Sequence, residues 1–361
     1  MPSRTFRASS ALISIAALAT TGLAASTTSS TNITASTYKL IADLSGPSFF
    51  SNFNSYAGPD PTNGFVNYLS ATAAASSNLT GFFSYPEAGN LTTAFIRVDT
   101  LTSNPPAPGR ASVRLSSKQT FNVGTLVVAD IYHMPTGFGT WPALWMLGGG
   151  AIWPAAGEID IIESVHNSSA NIMTLHTAPG CSVDNSTSFA LGGGDAGTYA
   201  SQLMNENCNT GSGADGCSNH GPAQTKVYSN QLSTAGEAFN EQEGGVYVTE
   251  WTTSGVKIWA FARDAVPSTL NTANPSTVGF PTPLASFSGK GCDFGTAFKN
   301  MTIIINTAFC GDWAGKVWES SGAKAATGVE TCEAFVAGKP DEFVEAYWEV
   351  GGIRVYSGGS Q

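Results

Sequence analysis

The chain is 361 residues long, with 16 Lys and Arg against 26 Asp and Glu, a formal charge of −10, and only 12% of its residues charged. That length suits one large or two ordinary domains, and large all-β sandwiches often fill it as a single domain. The acidic balance argues against nucleic acid as a partner, whereas an uncharged polymer is not repelled by it.

Residues 1–25 read as a secretory signal peptide: Arg4 and Arg7 precede an apolar run from Ala11 to Ala19 and small residues from Gly22 to Ser26. The run is shorter than the ~20 residues that cross a bilayer. No later window is long and apolar enough, so a soluble, extracellular product with no membrane partner is expected. Loss of Arg4 and Arg7 leaves 14 basic against 26 acidic residues, a balance of −12. Residues 26–37 are almost wholly Ser, Thr and Ala, too poor in apolar surface to pack, and read as a linker. Residues 38–361 then carry one folded domain.

Within that domain, β-branched and aromatic runs alternate with Gly, Pro, Asn and Ser. The runs are LTTAFIRVD from Leu91, SVRLSS from Ser112, TLVVADIYHM from Thr125, NIMTLHT from Asn171, VYVTEW from Val246, VKIWAFARD from Val256, MTIIINTAF from Met301 and WEVGGIRVYS from Trp348. These are strand signals. VYVTEWTTSGVKIWAF predicts a hairpin turning at Thr252 to Gly255, and helical patterning is confined to a short stretch near PDEFVEAYW. No repeat of fixed period marks a propeller or solenoid. The class is all-β, an antiparallel sandwich.

Six cysteines (Cys181, Cys208, Cys217, Cys292, Cys310, Cys332) are an even number in a chain read as exported, which points to disulfides. Their spacing does not suit zinc. Connectivity is open; Cys208 with Cys217 and Cys310 with Cys332 are guesses. Three of the six fall in the polar Gly/Asn/Ser-rich segment from Gly180 to Gly221, predicted to be a stapled surface loop. Sequons at Asn32, Asn78, Asn90, Asn167, Asn185 and Asn300 suit a glycoprotein. The closing AYWEVGGIRVYSGGSQ carries no hydrophobic tail of the lipid-anchor kind.

GEIDIIES, from Gly157 to Ser164, packs three acids into an apolar strand. Successive strand residues face opposite ways, so Glu158 and Asp160 share a face while Glu163, at spacing five, points away. A β-bulge at Ile161 or Ile162 removes the conflict and puts all three acids in one row. Such a row divides labour between an ionised carboxylate and a neighbour kept protonated by like charge, as glycosidic chemistry requires. An acid-decorated edge strand and a calcium site are the competing readings. Trp141, Trp145 and Trp153 precede the acids closely, in FGTWPALWMLGGGAIWPAAGE. Indoles stack on the C–H faces of sugars, although core packing is the usual fate of tryptophan.

GTWPALW, GEIDIIE, NIMTLHT, FCGDWAG and YWEVGGIRVY, in this order between about Tyr38 and Tyr356, resemble the fungal laminarinase-type members of glycoside hydrolase family 16, endo-acting β-1,3(4)-glucanases. The Glu-x-Asp-x-x-Glu element carries most of the resemblance; the shorter Glu-x-Asp-x-Glu form is typical of lichenases and cell-wall transglycosylases in that family. The resemblance implies a β-jelly-roll sandwich of the concanavalin A-like kind, with a concave glucan-binding cleft and hydrolysis with retention of anomeric configuration. By position, Glu158 corresponds to the nucleophile, Glu163 to the general acid/base and Asp160 to the assisting acid between them. His176 matches a histidine on the neighbouring strand beside the acid/base, and Arg114 an arginine that hydrogen-bonds sugar. Trp141, Trp145, Trp153 and Trp313 match tryptophans of the cleft.

The implied partner is a β-glucan, acted on by a monomer without organic cofactor, with a structural calcium ion known in the wider family. A transglycosylase on the same scaffold and a non-catalytic glucan-binding lectin are the alternatives. The departures lie in loops: LGGGAIWPAAGE is glycine-rich, and the Asn167 sequon follows Glu163 by four residues. A glycan there would crowd one end of the cleft.

Overall fold

The computed structural model describes residues 38–184, 202–211, 215–221, 224–227 and 230–358. The expected signal peptide, the linker and the sequons Asn32 and Asn185 lie outside the described residues. In chain order the main strands are β1 (Lys39–Ser45), β2 (Phe53–Ser55), β3 (Thr80–Tyr85), β4 (Leu91–Arg97), β5 (Arg114–Ser117), β6 (Thr125–His133), β7 (Thr140–Leu147) and β8 (Glu158–Glu163). They continue as β9 (Ile172–His176), β10 (Gln202–Leu203), β11 (Cys217–His220), β12 (Gly245–Thr252), β13 (Gly255–Phe261), β14 (Ala285–Ser288), β15 (Thr302–Phe309) and β16 (Tyr347–Ser357).

These strands form two eight-stranded sheets. The outer sheet runs β14-β13-β12-β6-β16-β4-β3, with β1 also paired to β16. The inner sheet, which carries the acids, runs β10-β11-β9-β8-β7-β15-β5-β2. All pairings inside both are antiparallel. The hairpin forms as read, with Thr252 opposite Gly255.

Alternation along each strand explains the two layers. On β15, Ile303 and Ile305 enter the core between the sheets, while Ile304, Asn306 and Ala308 take the opposite face. Met146, Ile159, Ile162 and Leu175 join Ile303 and Ile305 from the inner sheet; Ile96, Val248, Ile258, Trp348 and Val350 meet them from the outer one. Fully burying one such side chain contributes roughly 1.5–3 kcal/mol. Trp348 also bridges the layers, because its Nε1 donates to the Asn306 carbonyl at 3.0 Å.

Helical structure is sparse, and its position differs from the expectation. PDEF forms only a 3-10 turn over Pro340–Phe343, whereas a regular helix lies just before it at Cys332–Gly338. The N-cap is Thr331, whose hydroxyl accepts from the Ala334 N–H, so the capping side chain sets the start upstream of the proline. This helix and turn cover a second apolar cluster containing Phe309, Trp318, Phe335, Val336 and Phe343.

The disulfides are Cys181–Cys292, Cys208–Cys217 and Cys310–Cys332. The segment from Gly180 to Gly221 is stapled, but it is not loop throughout: β10 and β11 extend the inner sheet beyond β9. Asn78, Asn90, Asn167 and Asn300 are all exposed. No described helix is long and apolar enough to cross a membrane.

Replacing Trp348 tests the bridge between layers. Trp348→Ala should lower unfolding free energy by about 3–5 kcal/mol in urea titrations. Trp348→Phe, which fills most of the volume but strands the Asn306 carbonyl, should cost about 1–3 kcal/mol.

Candidate active site

β8 enters from a tight loop. Gly157 has φ +81, and a Cβ there would meet Phe298 Cδ1 at 2.4 Å and the Ala297 carbonyl oxygen at 2.5 Å, so the turn into the strand requires glycine. Against β7, Asp160 lies opposite Trp145 and Ile162 opposite Leu144. Ile161 is thus the extra residue of a β-bulge, and Glu163 returns to the face of Glu158 and Asp160, opposite Ala143. The spacing of five is reconciled by one unpaired residue.

Each glutamate is held by an indole. Trp153 Nε1 donates to Glu158 Oε2 at 2.7 Å, and Trp141 Nε1 donates to Glu163 Oε1 at 2.8 Å. Trp153 is 49% exposed on the loop between β7 and β8, and Trp313 sets its edge against Trp141 with centroids 5.6 Å apart. Trp145 donates to Asn306 Oδ1 at 2.7 Å, and Asn306 in turn donates to the Tyr68 hydroxyl at 3.1 Å. Arg114, 8% exposed, lies over the rings of Trp145 and Tyr56, 4.8 and 5.3 Å from their centroids.

One placement corrects the sequence reading. His176 is opposite Glu158 across the β8–β9 ladder, not beside Glu163. Its Nε2 is 3.3 Å from Asp160 Oδ2 and 3.9 Å from Glu158 Oε1. The pairing of β8 with β9 is the reason: it sets His176 opposite Glu158, while Glu163 lies four β7 positions further along, from Leu147 to Ala143. His176 Nδ1 is 3.0 Å from Thr210 Oγ1, in the turn closed by Cys208–Cys217.

All nine residues singled out from the sequence (Glu158, Asp160, Glu163, His176, Arg114, Trp141, Trp145, Trp153, Trp313) therefore fall within one connected region. Sequence reasoning missed Asn306, Thr210 and Asn171. Asn306 had a signal, a lone amide inside the apolar run TIIINTAF; Thr210 had none.

Burial pushes all three carboxyls upward. Glu158 rises to about 8, desolvation first and the Asp160 charge second, with His176 and the Trp153 N–H opposing. Asp160 also rises to about 8 through desolvation. Glu163 is held well above its ordinary value by burial and then by the Asp160 charge, against the pull of the Trp141 N–H. Three ionised carboxylates cannot share such a site without strong repulsion, so protons are retained there at neutral pH. A row of this kind can offer an attacking carboxylate and a proton donor together.

Among the described residues, the His, Cys, Asp and Glu side chains close enough to share a cation are Glu158, Asp160 and His176, with donor atoms within 4.8 Å of one another. The histidine makes this set a poor match for calcium, which takes oxygen ligands.

A stability test follows from the raised values. Below the unfolded-state pKa near 4, Asp160 is protonated in both states and costs nothing. As pH rises toward 8, the unfolded state loses the proton while the folded state resists, so stability falls. Asp160→Asn should therefore raise the melting temperature at pH 8 and leave it nearly unchanged at pH 4, as followed by calorimetry.

Residues 53–356 match the family model described as the XgeA-like, catalytic GH16 domain. A probable endo-1,3(4)-beta-glucanase of Aspergillus flavus is 40% identical over 330 residues, 90% of this chain and 45% of that protein. The endo-1,3(4)-beta-glucanase xgeA of Emericella nidulans is 37% identical over 326 residues, 89% of this chain and 48% of that one. The chain thus spans about half the length of these curated relatives. The solved Laminarinase 16A of Phanerochaete chrysosporium, holding two beta-glucans in donor and acceptor sites, is 36% identical with a TM-score of 0.74, covering 89% of this chain and all of that one. A solved elongating GH family 16 beta-1,3-glucosyltransferase is 38% identical, with the same TM-score and coverage.

Proposed function

The chain belongs to glycoside hydrolase family 16 and has its jelly-roll fold, and from that premise we propose that it is a secreted, endo-acting glucanase cleaving β-1,3 and mixed β-1,3/1,4 glucans with retention of configuration. The observation that carries this reading is the bulged strand, which turns Glu158, Asp160 and Glu163 to one face beside Trp141, Trp145 and Trp153.

In this mechanism Glu158, oriented by the Trp153 N–H, attacks the anomeric carbon from its ionised form, the minor one at neutral pH given its raised proton affinity. Glu163, protonated, gives its proton to the departing glycosidic oxygen. The bond to the leaving sugar breaks as the ester to Glu158 forms. Glu163, now a carboxylate, takes a proton from water, which attacks the anomeric carbon and frees Glu158. Asp160, against both Glu158 and His176, keeps a proton within the row and adjusts the charge that Glu158 feels. No cofactor enters these steps. Substrate is held by indole faces and by Arg114, whose guanidinium edge faces the cleft in this reading.

Export is supported by the pairing of all six cysteines, which suits an oxidising compartment. We read the protein as working alone on its polysaccharide, as a monomer.

Transfer to a second sugar in place of water is a second reading, favoured by the likeness to the elongating glucosyltransferase. The two readings differ in products: chains longer than the substrate accumulate under transfer when short laminari-oligosaccharides are supplied in excess.

Glu158→Ser should abolish release of reducing ends from laminarin and lichenan while glucan binding persists. Full activity in that variant would remove the assignment. Glu163→Gln should lower kcat/KM by about 10²–10⁴-fold on natural glucan, and far less on aryl glycosides whose leaving groups need no proton in the first step.

A further inference from the structure

The bulge interrupts the ladder of β8 with β7, and on the opposite edge, toward β9, the backbone groups left to other partners include the Ile161 carbonyl and the N–H of Glu163 itself. Pairing of β8 with β9 covers Glu158 opposite His176 and Ile159 opposite Leu175. Beyond that point the Ile161 carbonyl and the Glu163 N–H are satisfied by a side chain. Asn171 Nδ2 donates to the Ile161 carbonyl at 2.8 Å, and Asn171 Oδ1 accepts from the Glu163 N–H at 2.8 Å. One amide thus closes the gap on the β9 side of the bulged segment, across the strand from the β7 ladder.

The chemistry fixes the residue type. The gap presents one acceptor and one donor, two residues apart, and a carboxamide offers the complementary donor and acceptor on two separate atoms of one short side chain. The orientation of the amide follows, since reversing it would set N–H against N–H and oxygen against oxygen. Asn171 is fully buried, and its own backbone is anchored on both sides: its N–H donates to Thr234 Oγ1 at 3.1 Å, and its carbonyl accepts from the Gly221 N–H at 2.8 Å. The clamp is therefore tied to two other segments of the sandwich rather than to β8 alone.

We propose that Asn171 is the positioning residue of the reaction: by holding the bulge closed it sets where the Glu163 carboxyl stands relative to the bond being broken. The proposal rests on the reading of Glu163 as acid/base. Asn171 has no contact with the sugar in this scheme and acts through the Glu163 backbone. A displacement of about 1 Å at such a group costs on the order of 10²-fold in rate, while the indole platforms that bind substrate stay in place.

The test compares Asn171→Leu, which keeps bulk and loses both hydrogen bonds, with Asn171→Asp, which keeps an acceptor for the Glu163 N–H. In the leucine variant kcat on laminarin should fall about 10²-fold with KM little changed. On a dinitrophenyl laminarioligosaccharide, whose leaving group needs no proton, kcat/KM, which reports the first bond cleavage alone, should be close to native. The aspartate variant should lie between native and leucine on laminarin. Equal losses on both substrates, or a leucine variant of native activity on laminarin, would overturn the proposal. Amide hydrogen exchange gives a readout that needs no turnover: the Glu163 N–H should be protected in the native and aspartate proteins and exposed in the leucine protein. Protection retained with leucine also overturns the clamp. If the native protein cleaves no glucan, the parent reading falls, and the exchange data still decide whether Asn171 holds the bulge.

Discussion

Taking a carboxylate out of water is costly unless it is paired, hydrogen-bonded or neutralised, and β8 does this three times within six residues. The rest of the site can be understood as the response to that cost. Indole N–H groups from the loop before β8 and from β7 each serve one glutamate. The imidazole opposite Glu158 faces the two acids of the paired half of the strand. What these partners leave uncompensated appears as raised proton affinity, which is the property that acid/base chemistry near neutral pH needs.

The same constraint explains how the scaffold is arranged around the row. β8 is central in its sheet and its apolar residues Ile159, Ile161 and Ile162 are buried, so the strand is pinned by core packing. The acids then have no freedom to relax into solvent. Rigid support from both neighbours, together with the disulfide-closed turn that meets His176 through Thr210, gives preorganisation that a row of acids on a loop would lack.

Much of this was legible from residues alone. Runs of β-branched and aromatic residues located β4, β5, β6, β8, β9, β12, β13, β15 and β16, because burial in a sheet writes directly into the sequence; β7 was passed over, its proline and paired tryptophans reading as loop. The acid spacing announced the bulge, because a strand face admits even separations only. The neighbour of each acid was harder to read. Which end of the row His176 meets depends on the register of β8 with β9, which sets it opposite Glu158 and which the sequence TLHT alone does not display. The helix at Cys332–Gly338 was passed over because its short apolar stretch has too little periodicity, although Thr331 is an ordinary cap. Asn171 opened a recognised strand motif, yet its role depends on gaps in a neighbouring ladder that no local pattern displays.

The indole of Trp348 reaches across the interior to the carbonyl of Asn306, and the side chain of that same residue carries the indole of Trp145 on the other side of the sheet. A single residue thus couples the interior of the sandwich to an indole on the acid-bearing face. Warming that loosens the outer layer should be felt first as a shift of the Trp145 indole, at temperatures where the molecule as a whole is still folded.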